Sequence, residues 1–168
     1  MVTSRRTAKD IMTSPVYTVR SADPLGKVID VICRRRVSGV PVVKGKGHLI
    51  GFISERDILH ALYSGSKPAK GKPTAQRSRW ALRDISELVA KDIMVPQVIT
   101  ATPDTEFLRL ASIMALEKIR CIPIVEGETL VGIVSHADVG RAIFGTPERS
   151  TVCPAMRGNE DLPSGAES

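Results

Sequence analysis

The chain has 168 residues, 42% of them hydrophobic and only 4% aromatic, with 24 Lys and Arg against 18 Asp and Glu for a formal charge of +6. That length and composition suit one domain filled by Val, Ile, Leu and Ala, and exclude global disorder. No apolar run approaches the roughly 18 residues of a membrane span, and the N-terminus, with Arg5, Arg6 and Lys9, has no signal-peptide core, so a cytoplasmic protein without membrane association is expected.

Taken in chain order, the first segment, Ala8-Lys9-Asp10-Ile11-Met12, recurs letter for letter as Ala90-Lys91-Asp92-Ile93-Met94, 82 residues on. The offset persists. Thr18 falls on Thr100, Pro41 on Pro123, and Leu25, Val28, Ile29 and Ile32 fall on Phe107, Leu110, Ala111 and Met114. After the hairpin turn it becomes 81, so that Ser54 matches Ser135 and Asp57 matches Asp138. Repeats of this kind bury their apolar faces against one another, which implies two similar halves sharing one core and two clefts between them.

In each half a short β-branched run, Val16 to Val19 in the first, leads into a helix with apolar positions spaced i, i+3, i+4, i+7. Ser21 is the expected cap of the first helix, and Thr102-Pro103 the expected start of the second. Two hairpins follow, Val40 to Val43 with Leu49 to Ile53, and Ile122 to Val125 with Leu130 to Val134. Pro41 and Pro123 each remove a ladder donor, which places their strands at an edge or leaves a strand end unpaired. Arg34, Arg35 and Arg36 close the first helix, where cations complement its dipole. The predicted fold is α/β (α+β), two pseudo-symmetric β-α-β-β-α repeats packed as one module. Its parts are a first repeat over 7–62, a basic flexible loop and short helix over 63–88, a second repeat over 89–145 and a disordered tail over 146–168. Leu82, Ile85, Leu88 and Val89 carry the expectation of the short helix.

The order Asp-Ile-Met, Thr18, Val37-Ser38-Gly39-Val40-Pro41, then Gly51-Phe52-Ile53-Ser54-Glu55-Arg56-Asp57 resembles a cystathionine-β-synthase (CBS) domain. Ile119-Arg120-Cys121-Ile122-Pro123 and Gly132-Ile133-Val134-Ser135-His136-Ala137-Asp138 resemble its partner in a tandem pair, or Bateman module. The resemblance implies a non-catalytic sensor that binds an adenine nucleotide (AMP, ADP or ATP) or S-adenosylmethionine as a regulatory ligand, forms a homodimer and signals to an effector protein. It implies one cleft in which Thr18, Val37, Ser38 and Gly39 meet Arg120, Ser135 and Asp138, and another in which Thr100, Ile119 and Cys121 meet Ser54, Arg56 and Asp57. Pro41 and Pro123 would offer an apolar shelf to adenine, Arg120 and Arg56 would contact phosphate, and His136 lies close enough to touch a ligand.

The residues themselves read two ways. Ser54-x-x-Asp57 and Ser135-x-x-Asp138 are capping boxes, and equally a hydroxyl and carboxylate at a helix start, where phosphate or ribose hydroxyls bind. Cys33, Cys121 and Cys153 are odd in number and form no Cys-x-x-Cys pair, the three His form no cluster, and no catalytic constellation emerges, so neither a metal site nor a catalytic cofactor is expected. The alternatives are a nucleic-acid-binding protein that uses Lys67, Lys70, Lys72, Arg77 and Arg79, a run of cations flanked by Tyr63 and Trp80 but lacking a recognition helix, and a scaffold subunit with empty clefts.

Overall fold

The computed structural model describes residues 6–63 and 87–144. Expectations for the basic loop and for the tail past residue 144 lie outside the described residues. In the first repeat one helical turn, α1 (Ala8–Ile11), precedes β1 (Val19–Arg20), α2 (Leu25–Arg35), β2 (Gly39–Lys44), β3 (His48–Ser54) and α3 (Glu55–Tyr63). The second repeat follows the same order with α4 (Ala90–Ile93), α5 (Phe107–Glu117), β4 (Cys121–Glu126), β5 (Thr129–Ser135) and α6 (His136–Phe144). Its counterpart of β1 shrinks to a single parallel bridge between Ala101 and Ile124.

The strands form one sheet in the order β1-β2-β3-β5-β4. The two hairpins are antiparallel and meet tip to tip where His48 pairs with Thr129. Pro41 sits opposite Phe52 on β3, and only Val42 and Val43 beyond it pair with β1, so the Pro end of β2 is unpaired on that side. Leu25, Val28 and Ile32 on α2, and Phe107, Leu110 and Met114 on α5, are buried as their helical spacing requires.

A pseudo-twofold axis is visible in backbone hydrogen bonds that recur with the repeats exchanged. Leu49 N–H donates to the Glu128 carbonyl and Leu130 N–H to the Gly47 carbonyl; Ala8 N–H donates to Thr105 and Ala90 N–H to Asp23. The same contacts show that the recurrent pentapeptide crosses over. Ala8, Ile11 and Met12 pack into the core of the second repeat around Leu110, Ile122 and Val134. Ala90, Ile93 and Met94 pack into that of the first, around Leu25, Val40 and Ile53. Every letter of the motif except Lys is thereby explained: Ala is fully buried, Ile and Met fill the opposite core, and Asp10 and Asp92 accept the N–H of Thr7 and Val89 to close the turn.

Four local expectations are corrected. Ser21 does not cap α2, because its carbonyl accepts Lys91 N–H and the helix begins only after Pro24. Likewise α5 begins after Glu106, while the Pro103 carbonyl accepts Lys9 N–H and Thr102 turns back on Thr105. The first free N–H groups of both helices are met by the other repeat, Leu25 donating to Leu88 and Phe107 to Arg6. Neither Leu88 nor Val89 is helical, and Val89 is extended and bridges to Pro24. Of the run Val16 to Val19, only Val19 enters a strand.

Candidate functional site

Both Ser-x-x-Asp sequences form the capping boxes their spacing requires. Ser54 donates its backbone N–H and hydroxyl to Asp57 Oδ2 at 2.8 and 2.6 Å, and Ser135 donates to Asp138 Oδ2 at 2.7 and 2.5 Å. Each helix start is also tied to the loop before its hairpin: Glu55 N–H donates to the Ser38 carbonyl and His136 N–H to that of Arg120. These bonds bring Ser38 and Arg120 beside the N-termini of α3 and α6.

The surroundings of the two carboxylates differ. Asp138 faces a cleft of about 1240 Å³, above the usual size of a small-molecule site. One wall comes from the first repeat, with Val37, Ser38, Gly39 and Pro41, preceded by Thr13 and Tyr17 from the segment after α1. The other wall comes from the second, with Arg120, Cys121, Ser135, His136 and Asp138. Asp138 is 4% exposed, its Oδ1 accepting from Arg141 and, at 3.5 Å, from the Thr13 hydroxyl. Gly39 is required on this wall, since a Cβ there would lie 2.6 Å from the Ile53 carbonyl oxygen. Burial pushes the Cys121 thiol up to about 11, a hydrogen bond with Ser38 offsets part of this, and the charge of Asp138 adds to it.

The first expected cleft is therefore assembled with two changes. Thr18 is not part of its lining, because Val19 turns inward and the alternation of the strand leaves Thr18 exposed. Cys121, expected in the second cleft, lies in this one beside Ser38. Of the residues expected in the second cleft, Thr100 alone lines the smaller hollow. That hollow, of about 180 Å³, is also lined by His48, Leu49 and Val125, and neither Ser54, Arg56 nor Asp57 shares it. Ile119 packs on the second core, Pro123 is buried in β4 and Arg56 is exposed on α3. Sequence reasoning passed over Arg141, whose i+3 spacing from Asp138 on a helix was the available signal, and Tyr17, whose ring lies 4.4 Å beneath the Arg35 guanidinium.

Two pseudo-symmetric repeats, each ending in a capped helix start beside a hairpin, also define what the chain is similar to. The CBS domain family matches it twice, over residues 8–64 and over 90–145. The chain belongs to the CBS domain family. Among curated proteins, the CBS domain-containing protein YhcV of Bacillus subtilis is 30% identical over 131 residues, covering 78% of this chain and 81% of YhcV. The A-adding tRNA nucleotidyltransferase of Geobacter sulfurreducens is 27% identical over 163 residues, which span 97% of this chain but 16% of that enzyme. Among solved structures, the CBS domain pair of protein MJ0100 in complex with 5'-methylthioadenosine and S-adenosyl-L-methionine is 26% identical, with a TM-score of 0.65 over 83% of this chain and 97% of that one. CBSX2 in complex with AMP, 22% identical, has the same fold, with a TM-score of 0.67 over 83% of this chain and 96% of that one. The CBS pair of this chain is a Bateman module of mixed α and β structure. No helix among the described residues is long and apolar enough to cross a membrane.

Proposed function

We propose that this CBS pair is a non-catalytic, cytoplasmic sensor that holds an adenosine-containing molecule in the cleft at Asp138 and passes its occupancy to an effector protein. The observation that carries the reading is the position of Asp138: a buried carboxylate at the mouth of a helix start, in a cleft of about 1240 Å³ walled by both repeats. Such a carboxylate accepts from ribose hydroxyls, while the apolar Val37 and Pro41 face the same space and suit a base. MJ0100, a pair of the same fold at 26% identity, holds adenosine derivatives. A ligand touching both walls binds the closed pose of the repeats better than the open one, and that difference in affinity is what an effector reads.

A homodimer fits the same module. Leu59, Leu108, Leu116, Ile143 and Phe144 are exposed on helices α3, α5 and α6, an apolar surface that a second copy would cover. Sedimentation showing a monomer at every concentration tested contradicts this.

A thermal-shift series with adenosine, AMP, ATP and S-adenosylmethionine tests the functional reading. A ligand at ~100 times its dissociation constant adds about 2.7 kcal/mol of stability. No shift with any of the four would remove the adenosine assignment.

A further inference from the structure

The cleft's own charges narrow the adenosine reading, on which this inference rests, to one class of ligand. Its lining residues include four arginines, Arg6, Arg36, Arg120 and Arg141, against two acids, Asp10 and Asp138. Asp138 is matched by Arg141. Asp10 is held below the usual carboxylate range by hydrogen bonds from the Thr7 backbone and hydroxyl, with Arg6 and Lys9 adding to the effect, and its charge offsets that of Arg6. Two cations are left over. Arg120 has Glu55 at 3.9 Å, but both side chains are mostly exposed, at 72% and 57%, so water and salt screen the pair, and Glu55 is not part of the lining.

Arg36 has no ion-pair partner among the described residues. Its backbone adds a second observation. It closes α2 with φ 51, in the left-handed region where glycine is the usual residue and a Cβ is unfavourable. The turn hands the chain directly to Val37, Ser38 and Gly39, the cleft wall, and Arg36 itself lines the same space.

We propose that Arg36 selects the ligand by charge: with Arg120 it receives the phosphate groups of a phosphorylated adenosine compound and disfavours the sulfonium cation of S-adenosylmethionine. Guanidinium groups suit phosphate because their N–H donors match its oxygens and stay charged at every physiological pH. The corresponding residue of the second repeat, Lys118, shares the left-handed conformation at φ 55 but is not part of the cleft lining, and serves as an internal control.

The test is calorimetric titration of the full chain with adenosine, AMP, S-adenosylmethionine and inorganic tripolyphosphate, comparing the native protein with Arg36→Ala, Arg36→Gly and Lys118→Ala. The expected result is that AMP binds at least about tenfold more tightly than adenosine, and that S-adenosylmethionine binds more weakly than either. Both Arg36 variants should lose about tenfold in AMP affinity, keep their adenosine affinity and show a flatter dependence on salt. Lys118→Ala should match the native protein. The glycine variant relaxes the backbone, so a loss common to both substitutions reports the guanidinium rather than the turn. Tripolyphosphate separates the two layers: Arg36-dependent binding of it without any binding of adenosine upholds the charge assignment while removing the adenosine reading. Equal affinity for AMP and S-adenosylmethionine, or an AMP-to-adenosine ratio unchanged by Arg36→Ala, overturns the inference.

Discussion

Asp138 closes the N-terminus of α6 with one carboxylate oxygen and turns the other toward Arg141 and Thr13, so one side chain serves both the cap and the wall of the cleft. Beside it, Cys121 carries a consequence that can be measured. Its thiol is raised from 9.0 to about 11, chiefly by burial. Below about pH 9 both folded and unfolded chains hold the proton; above it the unfolded thiol ionises while the folded one does not, so stability is lost as pH rises from about 9 to about 11. Denaturant melts across that range should therefore converge for the native protein and Cys121→Ser, whose hydroxyl does not titrate. Parallel curves would contradict the burial of this thiol. The Ser-x-x-Asp pairs were legible from spacing alone as caps and as ligand candidates, since both roles use the same atoms at a helix start. That their surroundings differ was legible too, from Arg56 standing where the other repeat has Ala137, but not which carboxylate faces the larger cleft. Whether a carboxylate faces a cleft depends on which distant chain lies across from it, and Thr18 was misplaced for a similar reason, because a strand register shifted by one residue reverses every side chain.

At the scale of elements, the exchanged turns α1 and α4 explain two glycines that no local rule requires. A Cβ at Gly51 would lie 2.7 Å from the Met94 sulfur, and one at Gly132 would collide with that of Met12, so each β-strand leaves room for the methionine of the other repeat. Gly132→Ala should cost about 1–3 kcal/mol by overpacking. In the background of Met12→Ala that cost should largely vanish, giving a coupling above about 0.5 kcal/mol between residues far apart in sequence. Met94→Ala should give Gly132→Ala no relief. Denaturant melts of the cycle read this directly, and additivity of Gly132→Ala with Met12→Ala would refute the exchange. The recurrence of Ala-Lys-Asp-Ile-Met was plain in the sequence, as were the hairpins and the buried stripes of α2 and α5. That the motif crosses over was hidden, because a hydrophobic pattern states that a face is buried and not what buries it. The misread caps follow from the same blindness: backbone carbonyls of the opposite repeat did the work assigned to Ser21 and Thr102.

At the scale of the molecule, duplication produces one sheet with a pseudo-twofold axis, yet the two halves have diverged around it. Arg6 lines the large cleft, whereas its counterpart Leu88 is buried in the first core; Arg141 faces Asp138, whereas its counterpart beside Asp57 is His60. The family, the repeats and the first cleft's main walls could be read from the sequence, since they rest on residue order. The Arg56-for-Ala137 difference already marked the clefts as unequal, but the extent of the asymmetry could not be read, because it arises from substitutions whose effect appears only when both repeats are packed. One adenosine ligand per chain, rather than two, is therefore expected. Calorimetric titration of AMP into the native protein, Asp138→Asn and Asp57→Asn tests this most directly. A stoichiometry of one, weakened about 10- to 150-fold by Asp138→Asn and unaffected by Asp57→Asn, is the expected result. If Asp138→Asn instead lowers stability by the ~1 kcal/mol of a lost cap and leaves AMP affinity and stoichiometry intact, Asp138 is a cap and nothing more.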